Sequence, residues 1–164
     1  MVKKAAINRM LGNHGGITVI LRHLTKNLAV GDLSMNDREM NQALWIIAIV
    51  LAVAFVGSGL LKLVRTKDQL VTSGFGWAED YSPSTIRLIG VAEILGAIGL
   101  IVPALVHIAP ILVPLAAVGL TLVMIGAAVV HARRKEAPFI AMNAVLSVLA
   151  VFVAWGRFGP YPLT

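Results

Sequence analysis

The stretch LWIIAIVLAVAFVGSGLLKLV, residues 44–64, decides the fold class, because its only ionisable side chain is Lys62, near its end. An α-helix rises about 1.5 Å per residue and the hydrocarbon core of a bilayer is about 30 Å thick, so about 20 apolar residues are needed to cross it. The stretch meets both requirements, of length and of composition. It predicts a transmembrane helix.

Three further stretches have the same character, at residues 85–105, 108–131 and 138–155. The segment PALVHIAP, residues 103–110, separates the second from the third, since its two prolines favour a tight hairpin over one very long helix. Pro114 lies inside the third stretch and is expected to kink it. The sequence therefore predicts an all-α membrane protein, an antiparallel four-helix transmembrane bundle over residues 40–164, embedded in a lipid bilayer.

The composition agrees with this class. Hydrophobic residues make up 58% of the chain and charged residues only 13%, whereas soluble domains are about half apolar and a quarter charged. The net charge of +6 is attributed to topology and not to nucleic-acid binding, because the basic residues flank apolar stretches. The lack of cysteine excludes disulfides, iron–sulfur clusters and thiolate zinc, and the histidine spacing predicts no metal site.

Lysine and arginine concentrate in two connections: Lys62, Arg65, Lys67 and Arg87 at the first, and Arg133, Arg134 and Lys135 at the third. The second connection has none, and the C-terminal tail has only Arg157. The positive-inside rule predicts a multi-pass protein of the cell (plasma) membrane, with connections one and three in the cytoplasm and both ends of the bundle outside. Aromatic residues predict interfacial belts: Trp45, Trp155, Phe158 and Tyr161 outside, and Phe75, Trp77, Tyr81 and Phe139 inside.

Residues 1–39 conflict with this topology, because their six lysines and arginines would draw the N-terminus inward. Two explanations are open. The segment is a cytoplasmic or targeting extension, or translation starts at Met35 or Met40; the second is favoured because it removes the conflict. Either way a poorly ordered extension is expected, with a short helix near residues 17–28 at most.

Glu93 is the only acidic residue inside an apolar stretch. An ionisable group there is costly, by about 2.5–3.5 kcal/mol for aspartate at a helix centre, so it is expected to face the interior beside a partner. Each of the other helices places a polar group at similar depth, and we predict a polar layer around Glu93. Its possible partners are Lys62, His131, Asn143 and Ser58.

Each partner also has a purely structural interpretation. Lys62 can snorkel to the headgroups, His131 can cap the end of the third helix, and Asn143 can join helices by hydrogen bonds. A Glu93–Lys62 pair can itself be only structural. Small residues are predicted to let the helix backbones approach each other, above all Gly59, Gly90, Gly96 and Gly126.

Three segments resemble the DoxX-like family of small four-helix bacterial membrane proteins: FVGSGLLKL at 55–63, GVAEILGAIGLIVP at 90–103 and GAAVVHARR at 126–134. The resemblance covers about residues 40–160 and implies a four-helix bundle. Its matching positions are Gly59, Lys62, Gly90, Glu93, Gly96 and His131. The family is named for a subunit type of thiosulfate–quinone oxidoreductase, and some relatives are membrane partners of redox enzymes. The resemblance thus implies a membrane-associated redox enzyme as partner.

Three functions follow as hypotheses. The first is a non-catalytic membrane subunit that assists a redox system or binds a quinone or lipid-like ligand, with Glu93 and Lys62 lining the site and His131 and Asn143 nearby. The second is a small-molecule carrier or permease, and the third is a purely structural membrane protein. No catalytic residue is predicted, an enzymatic role is not favoured, and a quinone is the only cofactor considered.

Overall fold

The structure, a computed structural model, describes residues 36–163. The helices are α1 (Asp37–Val64), α2 (Lys67–Thr72), α3 (Pro83–Leu105), α4 (Leu112–Arg133) and α5 (Ala137–Phe158), with a short 3₁₀ helix at Gly76–Asp80. Within these residues there is no strand. The expected short helix near residues 17–28 and most of the N-terminal extension lie outside the described residues.

Four of these helices, α1, α3, α4 and α5, are long and apolar enough to cross a membrane. The predicted fold class, an all-α four-helix membrane bundle, is confirmed. The bounds of α3 and α5 agree with the prediction to within three residues, but α1 begins at Asp37, seven residues before the apolar stretch. Asp37 and Glu39 occupy its first turn, where negative charge stabilises the helix dipole.

The second connection delays the start of α4 to Leu112, four residues later than predicted. His107 and Ala109 adopt left-handed backbone conformations, with φ of 53° and 48°. Ala109 precedes Pro110, and a residue before proline is disfavoured in the right-handed helical region. Pro114 is consequently the third residue of α4, where a backbone N–H has no partner within the helix. The expected kink within the helix is therefore not required.

The spanning helices are antiparallel and pack in chain order, α1 on α3, α3 on α4 and α4 on α5, with α5 returning to α1. Glycines set the closest approaches. A Cβ added to Gly59 would lie 2.7 Å from the Gly90 carbonyl oxygen, and one added to Gly96 would lie 2.5 Å from Leu120. Gly126 departs from the predicted packing role, because the position of its Cβ has no neighbouring atom within 4 Å.

The bundle has two unlike halves. The half containing the second connection is filled by a tight apolar core, in which Leu51, Leu100, Leu120 and Val153 are 0–1% exposed. There α1 and α5 also meet closely, since a Cβ on Gly156 would lie 2.7 Å from Leu44. The other half, where connections one and three lie, contains a cavity. We call these the closed half and the cavity half.

Candidate functional site

The cavity half contains a partly open cavity of about 450 Å³ between the spanning helices and connection one. Its walls are mainly apolar, and Gly126 contributes to them. Ligand sites in proteins are commonly about 300–1,000 Å³ in volume, apolar in most of their lining and supplied with a few polar groups. The polar side chains in this cavity therefore decide what it can hold. They are Ser58, Lys62, Tyr81, Glu93, His131 and Asn143.

An ion pair between α1 and α3 forms one wall. The Lys62 Nζ donates to both carboxylate oxygens of Glu93, at 2.9 and 2.7 Å, and to Ser58 Oγ at 2.6 Å. The side chains of Lys62 and Glu93 are only 12% and 3% exposed. Gly59 and Gly90 bring the two backbones together one turn away.

Connection one covers this pair. Thr66 and Gln69 form a capping box that starts α2, and Ser82 caps α3 through the Thr85 amide. Between them, Leu70, Ala78 and Ile86 form a small apolar core against which Phe75, Trp77 and Tyr81 pack. The Trp77 ring lies 5.8 Å from the Lys62 Nζ, within the range of a cation–π contact. The aromatic residues expected to form an interfacial belt thus form part of the cavity wall.

His131 forms the opposite wall, at the end of α4. Its Nδ1 lies 2.6 Å from Glu136 Oε2, and its ring stacks on Phe139 with centroids 4.9 Å apart. The hydrogen bonds of Glu136 to His131 and to Arg134 lower the pKa of the Glu136 carboxyl below its ordinary value. Because the carboxylate is a pure acceptor, Nδ1 is the donor of this hydrogen bond, and Nε2 is the ring nitrogen left for another partner.

Asn143 lies on the same wall, one turn beyond Phe139 on α5. Its Nδ2 donates to the Phe139 carbonyl at 2.8 Å. Neither Asn143 Oδ1 nor His131 Nε2 has a hydrogen bond in the described part of the chain. No fully buried side-chain nitrogen or oxygen among those residues lacks a partner, so these two atoms face open space. Since both residues are at least 94% buried and line the cavity, that space is the cavity.

A charged network joins connections one and three above His131. Arg134 donates to Asp80 Oδ2 at 2.8 Å and to Glu136 Oε1 at 3.0 Å. These contacts raise the pKa of the Arg134 guanidinium, the hydrogen bond to Glu136 contributing most. Arg134 therefore ties the 3₁₀ helix of connection one to the residue that orients His131.

The structure brings all five sequence-derived site residues to one cavity. Of the possible partners of Glu93, Lys62 binds it directly, and Ser58 binds Lys62. His131 and Asn143 line the cavity but make their hydrogen bonds to Glu136 and Phe139.

Sequence patterns did not predict the roles of Glu136, Arg134, Asp80 and the aromatic residues of connection one. For these aromatic residues, the sequence feature that could have predicted a role in the cavity wall was their high density in a loop between two apolar stretches.

The model of the DoxX-like family matches residues 46–153. This range includes all of the polar cavity residues named above. The chain belongs to the DoxX-like family. This DoxX-like match also spans all four transmembrane helices over most of their length. Neither a curated protein nor a solved structure matches the chain.

Proposed function

We propose that this DoxX-like protein is a non-catalytic membrane subunit that binds a quinone or a similar lipid-soluble ring in the cavity and assists a redox partner. The observation that carries the proposal is the juxtaposition of a buried ion pair with the open atoms His131 Nε2 and Asn143 Oδ1, across an otherwise apolar cavity of about 450 Å³.

A quinone head group suits these walls. It is a flat apolar ring with an oxygen on each of two opposite edges. Trp77 and Phe139 offer aromatic faces for the ring, and the polar side chains offer hydrogen bonds to its oxygens. A charged His131 donates from Nε2 to a quinone carbonyl, whereas the neutral ring accepts from a quinol hydroxyl. The same site can therefore bind both redox forms.

Electrons would come from, or go to, a separate protein. The sequence has no cysteine for a thiol relay, and the family resemblance implies a membrane-associated redox enzyme as partner. The cytoplasmic placement of connections one and three, which follows from the positive-inside rule, would present the cavity half to a partner on that side. Purification in mild detergent should recover such an enzyme with the protein; repeated recovery of the protein alone would contradict a stable redox assembly.

Tryptophan fluorescence tests the ligand, because the three tryptophans are divided between the halves. Trp77 lines the cavity, while Trp45 and Trp155 lie at the far end of the closed half. A short-chain ubiquinone or menaquinone analogue should quench the purified protein with a saturable component. Trp77→Phe should remove that component and Trp155→Phe should retain it. Asn143→Leu should weaken the binding about threefold to tenfold, through loss of one hydrogen bond.

Quenching that does not saturate, or that is equal in Trp77→Phe and Trp155→Phe, would contradict a quinone in the cavity. A carrier function is less well supported, because the closed half is filled by residues such as Leu51 and Leu120, at 0–1% exposure, and gives a solute no route. A purely structural role predicts no saturable quenching with any quinone.

A further inference from the structure

The closed half contains a buried cation with a setting unlike that of Lys62. Arg157, in the last turn of α5, is 6% exposed. Its NH1 donates to Asn41 Oδ1 at 2.6 Å and to the Tyr161 carbonyl at 3.1 Å. The guanidinium carbon lies 5.7 Å from the centre of the Trp45 ring. Arg157 is therefore held in place by α1 and by the segment that follows α5.

No carboxylate neutralises Arg157 among residues 36–163. In the cavity half, by contrast, Lys62, His131 and Arg134 each lie within ion-pair distance of a carboxylate. A buried charge is stable only when it is paired or hydrogen-bonded at most of its donors. The carbonyl and amide oxygens around Arg157 accept hydrogen bonds but supply no negative charge. A bound anion would therefore neutralise the guanidinium.

Donors for that anion are available. Arginine has five N–H groups in a planar fork, and the two hydrogen bonds of Arg157 both use NH1. Nε and NH2 have no hydrogen bond in the described part of the chain. Since no fully buried polar side-chain atom there lacks a partner, these two nitrogens reach accessible space. The Nε and NH2 edge of a guanidinium binds two oxygens of a phosphate side by side.

The position of the site indicates where the phosphate comes from. The rings of Trp155 and Tyr161 contact each other, with centroids 6.5 Å apart, and tryptophan and tyrosine concentrate at the headgroup level of a bilayer. Beside Arg157, Trp155 and Phe158 are 53% and 50% exposed and offer apolar surface to acyl chains. We propose that Arg157 and Asn41 form a binding site for the phosphate of an anionic phospholipid at the closed end of the bundle.

Native mass spectrometry of the delipidated, full-length protein tests the site. Phosphatidylglycerol, diacylglycerol and inorganic phosphate are added separately, so that the lipid, its tails alone and its anion alone are distinguished. Wild-type protein should retain one phosphatidylglycerol and neither of the others. Arg157→Gln should weaken that retention about tenfold or more, since a charge-assisted hydrogen-bonded pair is lost. Arg157→Lys keeps the charge without the fork and should give an intermediate result.

Arg87→Gln is the matched control, because Arg87 is an exposed arginine on α3, in the cavity half. It should retain phosphatidylglycerol as the wild type does. Equal loss in Arg87→Gln and Arg157→Gln, or unchanged retention in Arg157→Gln, would overturn the site. Retention of diacylglycerol equal to that of phosphatidylglycerol, or binding of inorganic phosphate in preference to the lipid, would overturn the assignment to a phospholipid. Arg157→Lys keeps the test valid if Arg157→Gln fails to fold.

Discussion

Within residues 36–163, the cavity half and the closed half each contain one largely buried lysine or arginine, and only the one in the cavity half has a carboxylate partner. Lys62 forms an ion pair with Glu93. Arg157 is hydrogen-bonded to Asn41 and has no carboxylate partner within residues 36–163. A charge that the chain compensates itself can serve as a fixed wall of a cavity. A charge that residues 36–163 leave uncompensated is suited to a charged molecule from outside, and the two halves thus point to different ligands.

The largest expected effect comes from breaking the compensated pair. Glu93→Ala leaves the Lys62 ammonium buried without a counter-charge, and loss of one partner of such a pair typically costs about 3–5 kcal/mol. The free energy of unfolding in detergent should fall by that amount. The double variant Lys62→Met, Glu93→Met should recover most of the loss, since an apolar pair of similar volume carries no desolvation cost.

Arg157→Gln sharpens this comparison in the same unfolding assay. It removes a charge that has no partner in the described chain, so it should cost less than Glu93→Ala. A larger cost for Arg157→Gln than for Glu93→Ala would show that the closed half, and not the cavity half, depends on its charge for stability.

A smaller effect is expected from the helix contact beside the pair. Gly59→Ala places a methyl group 2.7 Å from the Gly90 carbonyl oxygen, and overpacking of this kind costs about 1–3 kcal/mol. Gly119→Ala is the control, because its Cβ would have no neighbouring atom within 4 Å. The free energy of unfolding should fall in the first variant and not in the second. Equal effects would mean that α1 and α3 do not need this close approach.

The smallest effect concerns the charged network above the cavity. The pKa of Glu136 is lowered below its ordinary value of 4.5 by His131 and then by Arg134. The carboxylate therefore stabilises the fold above that value, and the contribution is lost as the pH falls through the lower pKa of the folded state. The melting temperature of the wild type should fall more between about pH 7 and pH 3 than that of Glu136→Gln.

Equal losses in the two proteins would contradict a stabilising role for Glu136. Arg134, which also faces Asp80 and Glu79, remains charged throughout this range.

The fold followed from the sequence because membrane crossing depends on length and hydropathy, which are local properties. The observed helix starts differ from the predicted ones where charge at a helix end or a proline also affects the local structure. Asp37 and Glu39 extend α1 through polar residues because acids favour the first turn of a helix. Pro110 holds Ala109 out of the right-handed region and delays the start of α4.

The candidate site could be predicted from the sequence only in part. Glu93 was predictable because a lone acid in an apolar stretch needs a partner, and Lys62 was one of its predicted partners. The cover formed by connection one could not be predicted, since it depends on how a loop packs back on the helices. Arg157 lies beyond the predicted end of the fourth helix at residue 155, whereas the structure places it inside α5 and buried.

Photo-crosslinking with an azido-quinone tests the central claim, that the cavity half binds a lipid-soluble ring, most directly. After illumination in proteoliposomes, mass spectrometry locates the labelled residues. The label should fall on cavity residues such as Met124, Phe139 and Met142, and an excess of unlabelled quinone should remove it. Label spread over the exposed residues of the closed half, such as Ile46 and Leu105, and unaffected by the excess would contradict the claim.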